Sequence, residues 1–157
     1  MRQNIRAAAI VMQDTKILLM HRIKDGLEYY VLPGGGVEEN ETVEQAVLRE
    51  VAEETTLTIS IEKLLYVHKY TQSTQYFYQC KYISGTPQLA ANSEELLESS
   101  AENVFEPLWV ETEKLKNLLV YPLEIRDWLI ADIAASFSAA TFPKTATISE
   151  TDLRQTL

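Results

Sequence analysis

Gly35-Gly36-Val37-Glu38-Glu39-Asn40-Glu41-Thr42-Val43-Glu44-Gln45-Ala46-Val47-Leu48-Arg49-Glu50-Val51-Ala52-Glu53-Glu54-Thr55-Thr56-Leu57 is the stretch on which the reading of this chain turns. A glycine run passes into an acidic loop, and a helix follows. Thr42 to Gln45 has the form of a capping box, in which Thr42 accepts from the backbone of Gln45 and Gln45 reaches back. The pattern predicts a helix over 42–55. At roughly 100° per residue, Val43, Ala46, Val47 and Val51 form one apolar arc. Glu50 and Glu54 fall in the middle of that arc and Glu53 at its edge, whereas Glu44 and Gln45 lie more nearly opposite.

Carboxylates aimed at a core need a proton, a cationic partner or a metal. Arg49 is the only base nearby in sequence and cannot neutralise three acids. Clustered oxygen ligands suit a hard divalent cation whose shell is completed by water and phosphate, and the i, i+3, i+4 spacing brings Glu50, Glu53 and Glu54 together. The competing reading is a solvated acidic face, or an acidic surface that binds other proteins. Valines on both sides of Glu50 and Glu54 weigh against it. Pro33-Gly34-Gly35-Gly36 ahead of the helix reads as a loop whose backbone can approach a ligand without side chains colliding.

The residues also match a family pattern. Gly35, five residues, Glu41, seven residues, then Arg49-Glu50-Val51-Ala52-Glu53-Glu54-Thr55-Thr56-Leu57 resembles the Nudix box at every specified position but one. The resemblance implies an α/β/α sandwich with a mixed β-sheet, the box forming a loop–helix–loop. It implies that Glu50, Glu53 and Glu54 bind metal, with the backbone carbonyl of Gly34 joining the shell, and that Mg2+ is the cofactor, with Mn2+ an alternative. Gly35 and Gly36 are expected to approach the substrate. Arg49, grouped with the catalytic residues, is expected with Glu41 to orient the helix. The implied reaction converts a nucleoside diphosphate linked to a group X into a nucleoside monophosphate and phospho-X. The general base is either a box glutamate (Glu53 or Glu54) or a carboxylate from a distant loop, where Glu95 is one candidate among Glu94, Glu95, Glu98 and Glu102, with nothing in the spacing to distinguish them. A nucleotide-binding module without turnover is the alternative on the same fold. Thr56 departs from the family, which has glycine there. A left-handed helix end would cost a β-branched residue about 1–2 kcal/mol, so local stability is in question more than activity.

Outside the box, 157 residues with 46% hydrophobic and 24% charged side chains describe one globular domain. The expected domain is 1–137, with a weakly periodic, mobile tail over 138–157. Strands are expected over 5–12, 17–22, 29–32, 57–70, 75–83 and 104–110, and helices over 111–118 and from Pro122 to near Phe137. A net charge of −9 argues against non-specific nucleic-acid binding. The apolar run 7–12 is too short to span a membrane, and a cytoplasmic protein is expected. The single cysteine, Cys80, excludes an internal disulfide and reads as a small core residue. Arg22 is a candidate phosphate ligand at a strand end. Tyr76, Tyr78 and Tyr82 alternate on one strand face, for packing or for stacking on a base, and His68 reads as a core or edge histidine. The partner is expected to be a small nucleotide derivative, with a homodimer left open. Which derivative is not written in any motif beyond the box.

Overall fold

The computed structural model describes residues 4–138 and 141–148. In chain order the elements are β1 (Asn4–Gln13), β2 (Lys16–Lys24), β3 (Leu27–Val31), β4 (Gly34–Gly36), α1 (Val43–Thr55), β5 (Thr58–Lys69) and β6 (Ser73–Ser84). They continue with α2 (Glu94–Glu98), β7 (Asn103–Glu111), a 3-10 turn (Thr112–Asn117), β8 (Val120–Tyr121), α3 (Leu123–Ala134) and β9 (Lys144–Thr147). The strands form one mixed sheet in the order β8-β3-β2-β1-β6-β5-β9, with β4 also on β1 and β7 also on β2. Pairs β1–β6, β3–β8 and β5–β9 are parallel.

The sheet is sandwiched because its central strand alternates. Ala7, Ala9 and Val11 of β1 pack with Ala46, Val47 and Val51 of α1 on one face. Ala8 and Ile10 pack with Ile125 and Leu129 of α3 on the other. Side chains at successive strand positions point to opposite faces, so one strand serves both cores. The α/β/α sandwich implied by the sequence is the fold observed. The partners β1 and β2 are in register only at Met12↔Ile17 and Gln13↔Lys16. Beyond that turn β1 goes with β4 and β6, and β2 with β3 and β7. Where they part, the sheet opens.

Three readings are corrected. Gly34–Gly36 is not a free loop but a strand on β1, pairing Ala8↔Gly34, Ala7↔Gly35 and Arg6↔Gly36. A Cβ on Gly34 would run into the Ala7 carbonyl oxygen and Ala8, so glycine serves close packing here. Pro122 caps α3 rather than lying in its first turn, and the helix stops at Ala134, short of Phe137. Finally, the stretch read as a tail from Ser138 contributes β9, which pairs with β5 from Tyr66↔Lys144 to Lys69↔Thr147. Residues 139–140 and 149–157 of that stretch lie outside the described residues.

Both ends of α1 follow the sequence. The capping box at Thr42 and Gln45 is formed. Thr56 takes the left-handed conformation, φ 60° and ψ 7°, with its N–H on the Ala52 carbonyl. Its hydroxyl donates to the Thr86 carbonyl at 3.0 Å, an attachment glycine could not make. Relief of left-handed strain, about 1–2 kcal/mol, is therefore offset in Thr56→Gly by the lost hydrogen bond and glycine's unfolded-state entropy. Thr56→Gly should stay within about 1 kcal/mol of wild type, whereas Thr56→Val, which keeps the strain and loses the bond, should lose about 1 kcal/mol. Urea unfolding of the three proteins checks this; equal stability of the valine variant would show the hydroxyl contributes nothing.

Candidate active site

Glu50 and Glu54 sit one turn apart on the buried side of α1, at 8% and 7% exposure. The cause is local. Val47 and Val51 turn that face to the sheet, and β4 passes beneath it with no side chains in the way. A Cβ on Gly35 would overlap the Glu50 carboxylate. The Gly34 amide donates to Glu54 Oε2 at 3.1 Å. Gly35 thus makes room for Glu50, and Gly34 offers its amide to Glu54.

Arg49 lies between the loop and the helix. It donates to both carboxylate oxygens of Glu41, at 2.7 and 3.0 Å, and to the Gly36 carbonyl at 3.0 Å. A further nitrogen reaches Glu50 at 2.9 Å and Glu53 at 3.4 Å. The bidentate pair holds the Glu41 carboxyl below the usual range, and raises the already high pKa of the guanidinium. Such a fork fixes orientation as well as charge.

A third carboxylate arrives from far away in sequence. Ser93 caps α2 by accepting from the Leu96 amide at 3.2 Å, and Glu95 follows in its first turn. One oxygen each of Glu50, Glu54 and Glu95 lie within 4.8 Å of one another. Burial, then the neighbouring Glu50 and Glu95, push the Glu54 carboxyl well above its ordinary value. Burial also raises Glu50, opposed by Arg49. Glu53, the third box glutamate, keeps a 45% exposed side chain on the Arg49 side and is not brought into this cluster.

The cluster lines a cavity of about 580 Å³, also walled by Gly34, Gly35 and Gly36 and by Arg6 of β1 and Met20 of β2. Arg22 lies on the wall, 8% exposed, but its guanidinium donates to Asn103 and the Val104 carbonyl and covers the Phe105 ring. Tyr76, Tyr78 and Tyr82 pack in the α1 layer, away from the cavity, with Tyr78 donating to Glu44 at 2.8 Å. They read as packing. Cys80 is buried among them, its thiol pushed up to about 12 by desolvation.

The remaining wall was not singled out from the sequence. His68, fully buried, reaches Glu124 of α3 through Nε2 at 3.3 Å, and Tyr70, Tyr121 and Ile148 stand nearby on the cavity lining. These residues come from β5, β8, α3 and the end of β9. No spacing along the chain joins them.

The NUDIX domain family model matches residues 3–129. An ADP-ribose pyrophosphatase of Methanocaldococcus jannaschii is 47% identical over 60 residues, 38% of this chain and 36% of that protein. The dihydroneopterin triphosphate diphosphatase of Escherichia coli K12 is 44% identical over 55 residues, 35% of this chain and 37% of that protein. The matches thus span little more than a third of these curated relatives. A solved NUDIX hydrolase of Nitrosomonas europaea superposes with a TM-score of 0.74 at 19% identity, over 96% of this chain and 81% of that one.

A raised carboxyl pKa in the folded state favours folding below the ordinary value and loses that contribution as pH rises towards the folded value. Metal-free wild type should therefore lose stability relative to Glu54→Gln as pH rises above about 4.5, because glutamine carries no proton to release. Melting curves of both proteins in EDTA at pH 5 and pH 8 measure the difference. An unchanged gap between them would mean that Glu54 is stably paired without metal.

Proposed function

This chain belongs to the Nudix family, and on that premise we propose that it hydrolyses a pyrophosphate bond in a nucleoside diphosphate linked to another group. The products would be a nucleoside monophosphate and the phosphorylated group. The carrying observation is the Glu50, Glu54 and Glu95 cluster on the wall of a ligand-sized cavity.

The residues fit the divalent ion the family implies. Three carboxylates converge, two of them buried, and the only described donor to Glu54 is the Gly34 amide. An all-oxygen set of this charge matches a hard cation, Mg2+ or Mn2+. Glu50, Glu54 and Glu95 would hold it, with the Gly34 carbonyl completing the protein's share and Glu53 at the rim. When bound, such an ion offsets the charge on the phosphate oxygens and acidifies a water.

The chain's own groups do the rest. Glu95 or Glu53 takes the proton of the attacking water, Glu95 from within the cluster and Glu53 from its more exposed side. The water oxygen bonds to phosphorus as the bridging P–O bond breaks, and the bridging oxygen leaves with the other phosphoryl group. Arg49 does not touch the reacting atoms. It positions α1 against the glycine strand and holds Glu50 in place. Gly35 and Gly36 leave room for phosphate beside the carboxylates, and Arg22 buttresses the wall with its charge already engaged.

The test is a panel of ADP-ribose, nucleotide sugars, dinucleoside polyphosphates and nucleoside triphosphates, with Mg2+ and with Mn2+, scored by release of monophosphate products. Glu54→Gln should slow turnover of the best substrate at least about a hundredfold, and Glu95→Gln similarly if it is the base. Binding without product release across the panel would point instead to a nucleotide sensor. Metal binding has its own readout. Mg2+ should raise the melting temperature of wild type, and Glu54→Gln should shrink that rise, because a ligand stabilises only the state that binds it. Equal shifts in the two proteins would remove Glu54 from the ligand set.

A further inference from the structure

The cavity is finished by a part of the chain that follows the family match. Residues 3–129 carry the match, whereas β9 spans Lys144–Thr147 and leads into Ile148. Strand β9 is fastened at three levels. Phe142 packs against the α3-side core, with Lys63 and Lys144 ammonium groups over its ring at 4.6 and 5.8 Å. Lys144 then donates to Asp132 Oδ1 at 2.7 Å, while Tyr66 donates to Oδ2 of the same buried carboxylate at 2.6 Å. At the far end the Ile148 amide donates to the Lys69 carbonyl at 2.7 Å.

This fastening delivers one side chain to the ligand space. Phe142, Lys144, Ala146 and Ile148 are the half-buried positions of the segment, and Thr141, Pro143, Thr145 and Thr147 the exposed ones. Ile148, last on the inward row, lines the cavity beside His68, Tyr70 and Glu124. The carboxylate cluster belongs to α1 and α2, whereas His68, Tyr70, Glu124 and Ile148 come from β5, α3 and the residues that follow β5 and β9, so these two parts of the lining are built from separate elements.

We propose that Ile148, carried by β9, is a specificity-determining wall of the cavity, limiting the size of the part of the nucleotide substrate admitted beside His68, Tyr70 and Glu124. The proposal rests on the hydrolase reading only for the word substrate, since a wall acts equally on a ligand that is merely bound. The Asp132 clasp is its positioning device. Its two hydrogen bonds join α3 to β5 and to β9, so the strand cannot slide along the sheet edge without exposing a buried charge.

The experiment uses the full chain with Ile148→Trp, Ile148→Ala and, should tryptophan fail to fold, Lys144→Met, which loosens β9 and leaves Ile148 intact. Turnover is measured over the substrate panel, with kcat and KM separated. Binding of AMP, GMP, CMP and UMP is measured by calorimetry; these have no phosphoanhydride to cleave. Tryptophan should raise KM, or weaken the tightest monophosphate, by about tenfold or more, a usual effect of pocket shape. Neither kcat nor the Mg2+-induced melting shift should change by more than about twofold. Alanine should narrow the preference between small and bulky members of the panel, and Lys144→Met should move KM in the same direction as alanine. Altered monophosphate binding without turnover by any protein would sink the hydrolase reading and leave the wall standing. Unaltered KM and binding in the Ile148 variants, with turnover intact, would overturn the wall alone. Absence of both turnover and monophosphate binding would overturn both.

Discussion

One guanidinium holds together the half of this molecule that carries the carboxylate cluster. Arg49 spans the loop, the glycine strand and the helix by bonding Glu41, Gly36 and Glu50 at once. Its geometry is what makes the arrangement specific: a planar fork can satisfy a carboxylate with two nitrogens and still present another edge. Lysine in its place would be a point charge able to meet these partners only in turn. The buried acids follow from this bracing. With the loop tied to α1, β4 lies against Glu50 and Glu54: the Glu50 carboxylate fills the space a side chain on Gly35 would take, and the Gly34 amide reaches Glu54.

The molecule therefore concentrates like charge and surrounds it with structure rather than with solvent. Burial and mutual repulsion both push the Glu54 carboxyl up, and Arg49 relieves Glu50 without reaching the centre of the cluster. In a chain whose net charge is −9, the divalent ion proposed for this cluster would relieve both the burial and the repulsion.

The sequence made the helix and its site legible because their information is local. Capping residues, an apolar arc and acids placed within it all lie inside one stretch, so the periodicity predicted which carboxylates turn inward. Glu95 could be named only as one of several acids, since its meeting with Glu50 and Glu54 depends on the path from β6 to β7. Glu53 shows the limit of counting along a helix: at the edge of the arc, a small rotation sends it towards Arg49 and water. The other part of the cavity lining was hidden for a different reason. His68, Tyr70, Glu124 and Ile148 come from elements that meet only through the sheet order. The alternation Phe142, Lys144, Ala146, Ile148 was there to be read, but a lysine on the inward row and a proline on the outward one disguised it. The lysine is inward because Asp132 is buried beneath it, a partner no local pattern discloses.

The three alanines at the centre of β1 carry a consequence for how such a protein can change over generations. Ala7, Ala8 and Ala9 are fully buried and shared between two cores. A larger residue at Ala7 or Ala9 would press on α1 and one at Ala8 on α3, so the middle of the molecule has no slack on either face. The outer edge, where β9 lies on β5, is bounded by fewer neighbours and fastened by side chains at separate points. A substitution at that rim therefore disturbs fewer packed neighbours than one at the centre of β1, and the fold tolerates change there first.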